Sequence, residues 1–187
     1  MYGQALLNVG TENSLKVALD VYTFASQQCP CASTWLGCGI ACIELADYVN
    51  AETALTEACI LDTKNAAVWA YTCILATKLG RADEAEEALE FVLLEDLEDV
   101  SLMNAIGTEL LAQSMYRPAE RILRKSMAVE ASPETSRLLA DVLVMVGQKQ
   151  ASLKMYTELM GGAGISAEEK AILQERIDSI NVEYGLA

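Results

Sequence analysis

The chain has 187 residues, 52% of them hydrophobic, which is enough for one domain with a buried core and too few for two large ones. Its formal net charge is −14, so phosphate backbones and anionic membrane surfaces repel it, and nucleic acid and membrane are excluded as direct partners in favour of a basic protein surface. Histidine is absent, which removes the commonest general base and the commonest metal ligand together.

The N-terminal stretch MYGQALLNVG has no basic segment ahead of a long apolar core, so no signal peptide is expected. The longest apolar runs, such as Val142 to Val146, are too short to span a bilayer. The expected location is the cytoplasm, a reducing compartment where six cysteines are not expected to pair.

A period of 34 residues separates Trp35 from Trp69 and Leu45 from Leu79, and it spaces Ala51, Ala85 and Ala119. Segments 32–65, 66–99 and 100–133 align without a gap, and each reads as two helices. In the first, a helix from about Ser33 to Leu45 turns at Asp47-Tyr48 into a second from Val49 to Leu61. Gly80 and Gly147 supply the left-handed conformation that a helix end often needs. Ala151 lies 32 residues after Ala119, which places a loss of two residues near Gly147.

Gly161 to Gly164 is read as a flexible joint. Ser166 starts a last helix, with Glu169 completing a capping box, and residues 167–183 form a polar cover for the final apolar face. The organisation expected is therefore repeats over 1–160, in units of about 1–31, 32–65, 66–99, 100–133 and 134–160. A Gly-rich joint follows at 161–165 and a capping helix at 166–187.

Within a unit, Trp35, Cys38, Gly39 and Cys42 follow the 0, 3, 4, 7 spacing of one helical face. Ala51, Leu55 and Ala58 face them from the second helix. Small residues at these places let two backbones approach closely.

A 34-residue helix–turn–helix unit with this pattern resembles the tetratricopeptide repeat family. The matching residues are Trp35, Gly39, Ala51, Leu55 and Ala58, then Trp69, Gly80, Ala85 and Leu89, then Gly107, Ala119 and Leu123. A half-unit precedes them: Ala18, Tyr22, Ala25 and Pro30 match the family's second helix and its closing proline, and residues 2–9 would be its short first helix. The resemblance covers about 15–160. It implies an all-α fold, a right-handed superhelical solenoid of helix–turn–helix repeats with a C-terminal capping helix. A narrower resemblance runs from Ser33 to Tyr71 and from Leu79 to Glu90. The TWLG–GIAC and VWAY blocks there look like the C-terminal repeats of the cilia- and flagella-associated protein 70 family, over about 33–95. That likeness implies a structural component of the ciliary axoneme, tied to motility and dynein arms, and a longer parent protein.

Four cysteines crowd into CPCASTWLGCGIAC. Their C-x-C-x6-C-x3-C spacing lacks the paired knuckles of a zinc site, and Cys38 and Cys42 lie on the apolar face, so they read as packing residues and no metal is expected. Gly37-x-Gly39 has no third glycine and no preceding strand, so no nucleotide cofactor is implied. Gly39 has a packing role, whereas Gly37 is expected to leave room on a groove surface for another backbone. The carboxylates form solvated helix faces, and no serine or cysteine has an evident base partner, so no catalytic residue and no enzyme are expected.

The remaining expectation is binding. In such repeats the first helix of each pair lines a groove. Its residues here are Leu36, Gly37, Ile40 and Ile43, then Ala70, Tyr71, Ile74 and Lys78, then Asn104, Thr108 and Leu111. This surface is mainly apolar; a partner segment or the chain itself could fill it. With Lys78 as its only base, it does not suit a clamp for a terminal carboxylate. Glu84, Glu87, Glu90, Glu95, Asp96, Glu98 and Asp99 form an acidic face for a basic partner, partly paired with Arg117, Arg121, Arg124 and Lys125. The function expected is a protein–protein scaffold in a cilium or flagellum, with axonemal or dynein-associated partners. The alternative is a cytoplasmic adaptor or co-chaperone that binds a peptide or helix of a soluble client.

Overall fold

The computed structural model describes residues 2–162 and 166–183, and among them it contains helices and no strand. In chain order these are α1 (Tyr2–Val9), α2 (Glu12–Gln28), α3 (Ala32–Glu44), α4 (Tyr48–Leu61), α5 (Ala66–Lys78) and α6 (Ala82–Leu94). They continue as α7 (Val100–Ala112), α8 (Tyr116–Val129), α9 (Pro133–Val146), α10 (Lys149–Met160) and α11 (Ala167–Glu183). Residues 163–165 of the expected joint and 184–187 of the expected capping helix lie outside the described residues. Two compact units divide the chain, 1–97 and 98–187.

The expected period appears as helix starts. First helices begin at 32, 66 and 100, and second helices at 48, 82 and 116. The fourth pair begins at 133 and 149, where strict spacing would give 134 and 150. One residue is therefore missing, and it is lost in the link before α9, not near Gly147. Ala151 misled the alignment because it is exposed; Ser152 is the buried residue that fills the slot of Ala51, Ala85 and Ala119. Its hydroxyl donates to the Ala140 carbonyl at 2.8 Å, which satisfies a polar group in an apolar slot.

The turn inside each of the four pairs from α3–α4 to α9–α10 is built one way. The residues at its corner have left-handed backbones: Ala46 (φ 58°), Gly80 (φ 70°), Ser114 (φ 59°) and Gly147 (φ 86°). The next N–H reaches back five residues, from Asp47 to Cys42 O, Arg81 to Ala76 O, Met115 to Leu110 O and Gln148 to Leu143 O, at 2.8–2.9 Å. This is the double-bonded Schellman close, which satisfies carbonyls a helix end leaves open. The links between pairs follow no such rule. They run over 62–65, 95–99 and 130–132 and end in a side-chain cap from Asn65, Asp99 or Ser132.

In unit 1, α3 packs on α2, α4 and α5. A Cβ on Gly39 would fall 2.8 Å from Leu55, so the missing side chain lets α3 and α4 close together. Cys73 holds the same slot one repeat on, fully buried, with its thiol donating to the Ala85 carbonyl at 3.3 Å. The Tyr22 ring lies between Gly3 and Gly37, where either glycine's Cβ would come within 2.7 Å of it. Trp69 stacks on Phe91 with ring centroids 4.2 Å apart, and its indole N–H donates to the Thr63 carbonyl at 2.8 Å.

In unit 2, Gly107 repeats the Gly39 contact against Leu123. A buried polar group joins α7, α8 and α9: the Asn104 amide lies 2.9 Å from Thr135 Oγ1 and accepts from the Ser126 hydroxyl at 2.9 Å. Helix α11 packs on α10, burying Leu173 and Ile180 beside Ala140 and Tyr156. Asp141 accepts from both the Tyr156 hydroxyl and the Arg176 guanidinium, tying α9, α10 and α11. At the start of α11, the Ser166 N–H donates to Glu169, and the Glu169 N–H donates to Ser166 Oγ at 3.2 Å, the expected capping box.

Candidate interaction surfaces

The expected groove residues separate into two groups. In unit 1, Leu36, Ile40, Tyr71 and Lys78 are half-buried. Gly37, Ile43, Ala70 and Ile74 are buried. In unit 2, Thr108 is exposed, Leu111 is half-buried and Asn104 is buried. A helical wheel assigns each first helix one packed face. Yet α5 is buried without a break from Cys73 to Thr77, because it packs on α3 as well as on α4 and α6. A helix covered on most sides leaves only a narrow free stripe.

Gly37, Ile43, Ala70, Ile74 and Asn104, expected on the groove surface, are therefore buried instead. Gly37 leaves room for the chain's own Tyr22, not for a partner backbone. Asn104 is not surface: its amide is spent on Ser126 and Thr135. Neither was legible from local spacing, because their neighbours come from other helices.

The acidic residues are mostly exposed. Glu84, Glu87 and Glu90 lie along α6, and Asp96 is exposed in the link after it, with Glu95 half-buried there. Glu98 is exposed at the start of unit 2, and Asp99 caps α7, accepting from the Leu102 N–H at 3.0 Å. Of the bases, Arg124 binds Glu120 of its own helix at 2.8 Å, an i to i+4 pair. Sequence reading passed over Arg81, which bridges Glu52 of α4 (2.7 Å) and Glu84 of α6 (3.3 Å). Its place after Gly80 marks it as a turn residue, but its partner Glu52 is 29 residues away, which local spacing does not reveal.

The cysteines form a graded set. Cys38, Cys42 and Cys73 are buried, and burial pushes the Cys42 thiol up to about 11 and the Cys73 thiol up to about 12. Cys31 is exposed at the N-cap of α3, and its hydrogen bond with the Thr34 hydroxyl holds its thiol below the ordinary value. Among the described residues, no group of three or more Cys, Asp or Glu converges to hold a metal. Among the same residues, no helix is long and apolar enough to cross a membrane.

Helix pairs with a 34-residue period, a small-residue slot and Schellman turns define a tetratricopeptide repeat protein, a class of protein-interaction scaffold. Solved structures agree on the fold. The Pseudomonas aeruginosa pilF structure is similar with TM-score 0.70 and 18% identity, over 99% of this chain and 87% of that one. A tetratricopeptide repeat protein from Parabacteroides merdae follows at 0.65 and 19%, over 98% and 74%. The chain belongs to the family described as the cilia and flagella-associated protein 70 C-terminal domain, whose model matches residues 3–176. That match reaches well past the 33–95 stretch in which the likeness is legible by eye. The cilia- and flagella-associated protein 70 of Homo sapiens is 40% identical over 97 residues, 52% of this chain and 9% of that protein. The protein of that name from Macaca fascicularis is 40% identical over the same length, 10% of its own. The chain thus spans about a tenth of the curated relatives it matches.

Proposed function

We propose that this domain is an interaction scaffold of a ciliary or flagellar axoneme, and that it serves motility by holding an axonemal or dynein-associated protein. Membership of a cilia- and flagella-associated family carries the location. The half-buried apolar stripe of α3 and α5, formed by Leu36, Ile40 and Tyr71 with Lys78 at its end, carries the contact. Thr108 and Leu111 offer the corresponding stripe of α7 in unit 2. Apolar contact there supplies affinity, while the exposed acids of α6 orient a basic partner and raise its on-rate.

The test is a tagged domain expressed in ciliated cells, compared with a Leu36→Glu, Ile40→Glu variant whose helicity is checked by circular dichroism. The reading expects the parent domain to stay with detergent-extracted axonemes in high salt and the variant to wash out. A diffuse pool released by detergent from both would overturn the axonemal role and favour a cytoplasmic adaptor.

A further inference from the structure

Unit 1 has a concave surface whose lining includes none of the residues of the α3–α5 stripe. A cleft of about 300 Å³ opens between α4 and α6, with α5 as its floor. Thr56 and Ile60 of α4 form one wall, and Trp69, Thr72 and Ala76 of α5 form the base. Its shape is fixed in advance. The Trp69 indole is held at both ends, by the Thr63 carbonyl and by the Phe91 ring. Arg81 closes the far end by bridging Glu52 and Glu84. Ile60 stands 67% exposed at the mouth, an apolar side chain left in water beside an aromatic one.

The helices on either side of this cleft are acidic, and the one base in its lining, Arg81, is already paired with Glu52 and Glu84. Neither α4 nor α6 carries a lysine or arginine. Glu52 and Glu57 stand on one side, and Asp83, Glu84, Glu86, Glu87 and Glu90 are exposed along the other. The volume suits one or two side chains, since sites for whole small molecules run from about 300 to 1,000 Å³. We infer that this cleft docks a basic amphipathic helix of a partner protein, seating one or two large apolar side chains against Trp69 and Ile60 while flanking lysines or arginines meet the carboxylates of α4 and α6. A second copy of this chain fits poorly, because it would bring another acidic surface to an acidic rim. The inference shares the α6 acids with the proposed function but rests on cleft residues distinct from Leu36, Ile40 and Tyr71, so it stands if the α3–α5 contact fails.

The experiment uses Trp35→Phe, which leaves Trp69 as the sole tryptophan. The probe is a synthetic amphipathic helix of leucine and lysine, about 18 residues long, enough for five turns. Its control has glutamate in place of lysine. The expected result is a saturable change in Trp69 emission with the lysine peptide and none with the glutamate peptide. Thr56→Phe, which fills the cleft, and Ile60→Asp, which wets its mouth, should each weaken binding at least about tenfold. Both positions are exposed, so the fold should survive either change. Glu57→Lys with Glu87→Lys should weaken binding more at low salt than at high salt. Leu36→Glu, Ile40→Glu should leave binding unchanged. Equal binding of both peptides, wild-type binding by both cleft variants, or loss of binding only in the Leu36/Ile40 variant would overturn the inference. So would sedimentation showing that the chain pairs with itself in a way that Thr56→Phe abolishes.

Discussion

The ring of Tyr22 occupies the space that a side chain at residue 37 would need: a Cβ on Gly37 would lie 2.4 Å from it. The atoms met are in the body of a ring wedged between two helices, not at the end of a flexible chain. Gly37→Ala should therefore destabilise the domain by about 1–2 kcal/mol, because overpacking outweighs the roughly 1 kcal/mol that alanine gains in a helix. Gly39→Ala meets Cδ2 and Cγ of the aliphatic Leu55 side chain at 2.8–2.9 Å, a wider separation than at Gly37 and one a rotamer change can relieve, and should cost less than Gly37→Ala. Denaturant midpoints of both variants check the contrast, and Tyr22→Leu should rescue Gly37→Ala. Equal losses for the two alanines would refute the account.

Two turns hold non-glycine residues in the left-handed region, Ala46 and Ser114. That conformation costs an ordinary residue about 1–2 kcal/mol, and glycine gives back about 0.4–1 through its freer unfolded chain. Ala46→Gly and Ser114→Gly should each stabilise by about 0.5–1 kcal/mol. Thermal melts should move upward, most clearly in the double variant.

The Asn104 amide is the shared partner of two buried hydroxyls. Asn104→Ala leaves Ser126 and Thr135 short of a bond and should cost about 2–3 kcal/mol. Asn104→Leu combined with Ser126→Ala and Thr135→Val removes the polar groups together and should recover more than half of that loss. Urea titrations with an unchanged slope would show that the effect is on the native state.

Thiol chemistry should follow exposure and the Thr34 contact. A thiolate is the attacking species, so a thiol held below its ordinary value reacts faster near neutrality. Cys31 should be modified early by an aromatic disulfide reagent at pH 7–8, and Thr34→Ala should slow it several-fold. The difference should vanish at about pH 10, where both forms are thiolate. Buried Cys38, Cys42 and Cys73 should react only after unfolding. A Thr34→Ala rate equal to that of the parent at every pH would remove the proposed cause.

How much of this was legible from the residues depended on where each neighbour lies. The helix pairs at 32–61 and 66–94 could be read directly, because Trp35, Ala51 and their successors repeat within a single alignment. The slot shared by Gly39, Cys73 and Gly107 could be read for the same reason. The fourth pair could not, because a serine there does what alanine does elsewhere by bonding to a carbonyl that only the folded pair supplies. Of the residues expected to line a groove on α3 and α5, Leu36, Ile40 and Tyr71 are left partly accessible. Ile43 and Ile74 were misassigned because helical periodicity describes one helix against one partner, and α3 and α5 also pack on each other. The α4–α6 cleft was invisible, since its walls are thirty residues apart in sequence and its floor is a third helix.

The turns inside the pairs and the links between them also differ in what evolution can do with them. Each turn is locked by a left-handed corner and a five-residue backward bond, so adding or removing one residue breaks both at once. The links already run from three residues at 130–132 to five at 95–99, with only a terminal cap to keep. Length variation among relatives should therefore collect between pairs and spare the corners. Segment 130–132 shows the process at its shortest: the repeat lost a residue there and kept its internal geometry.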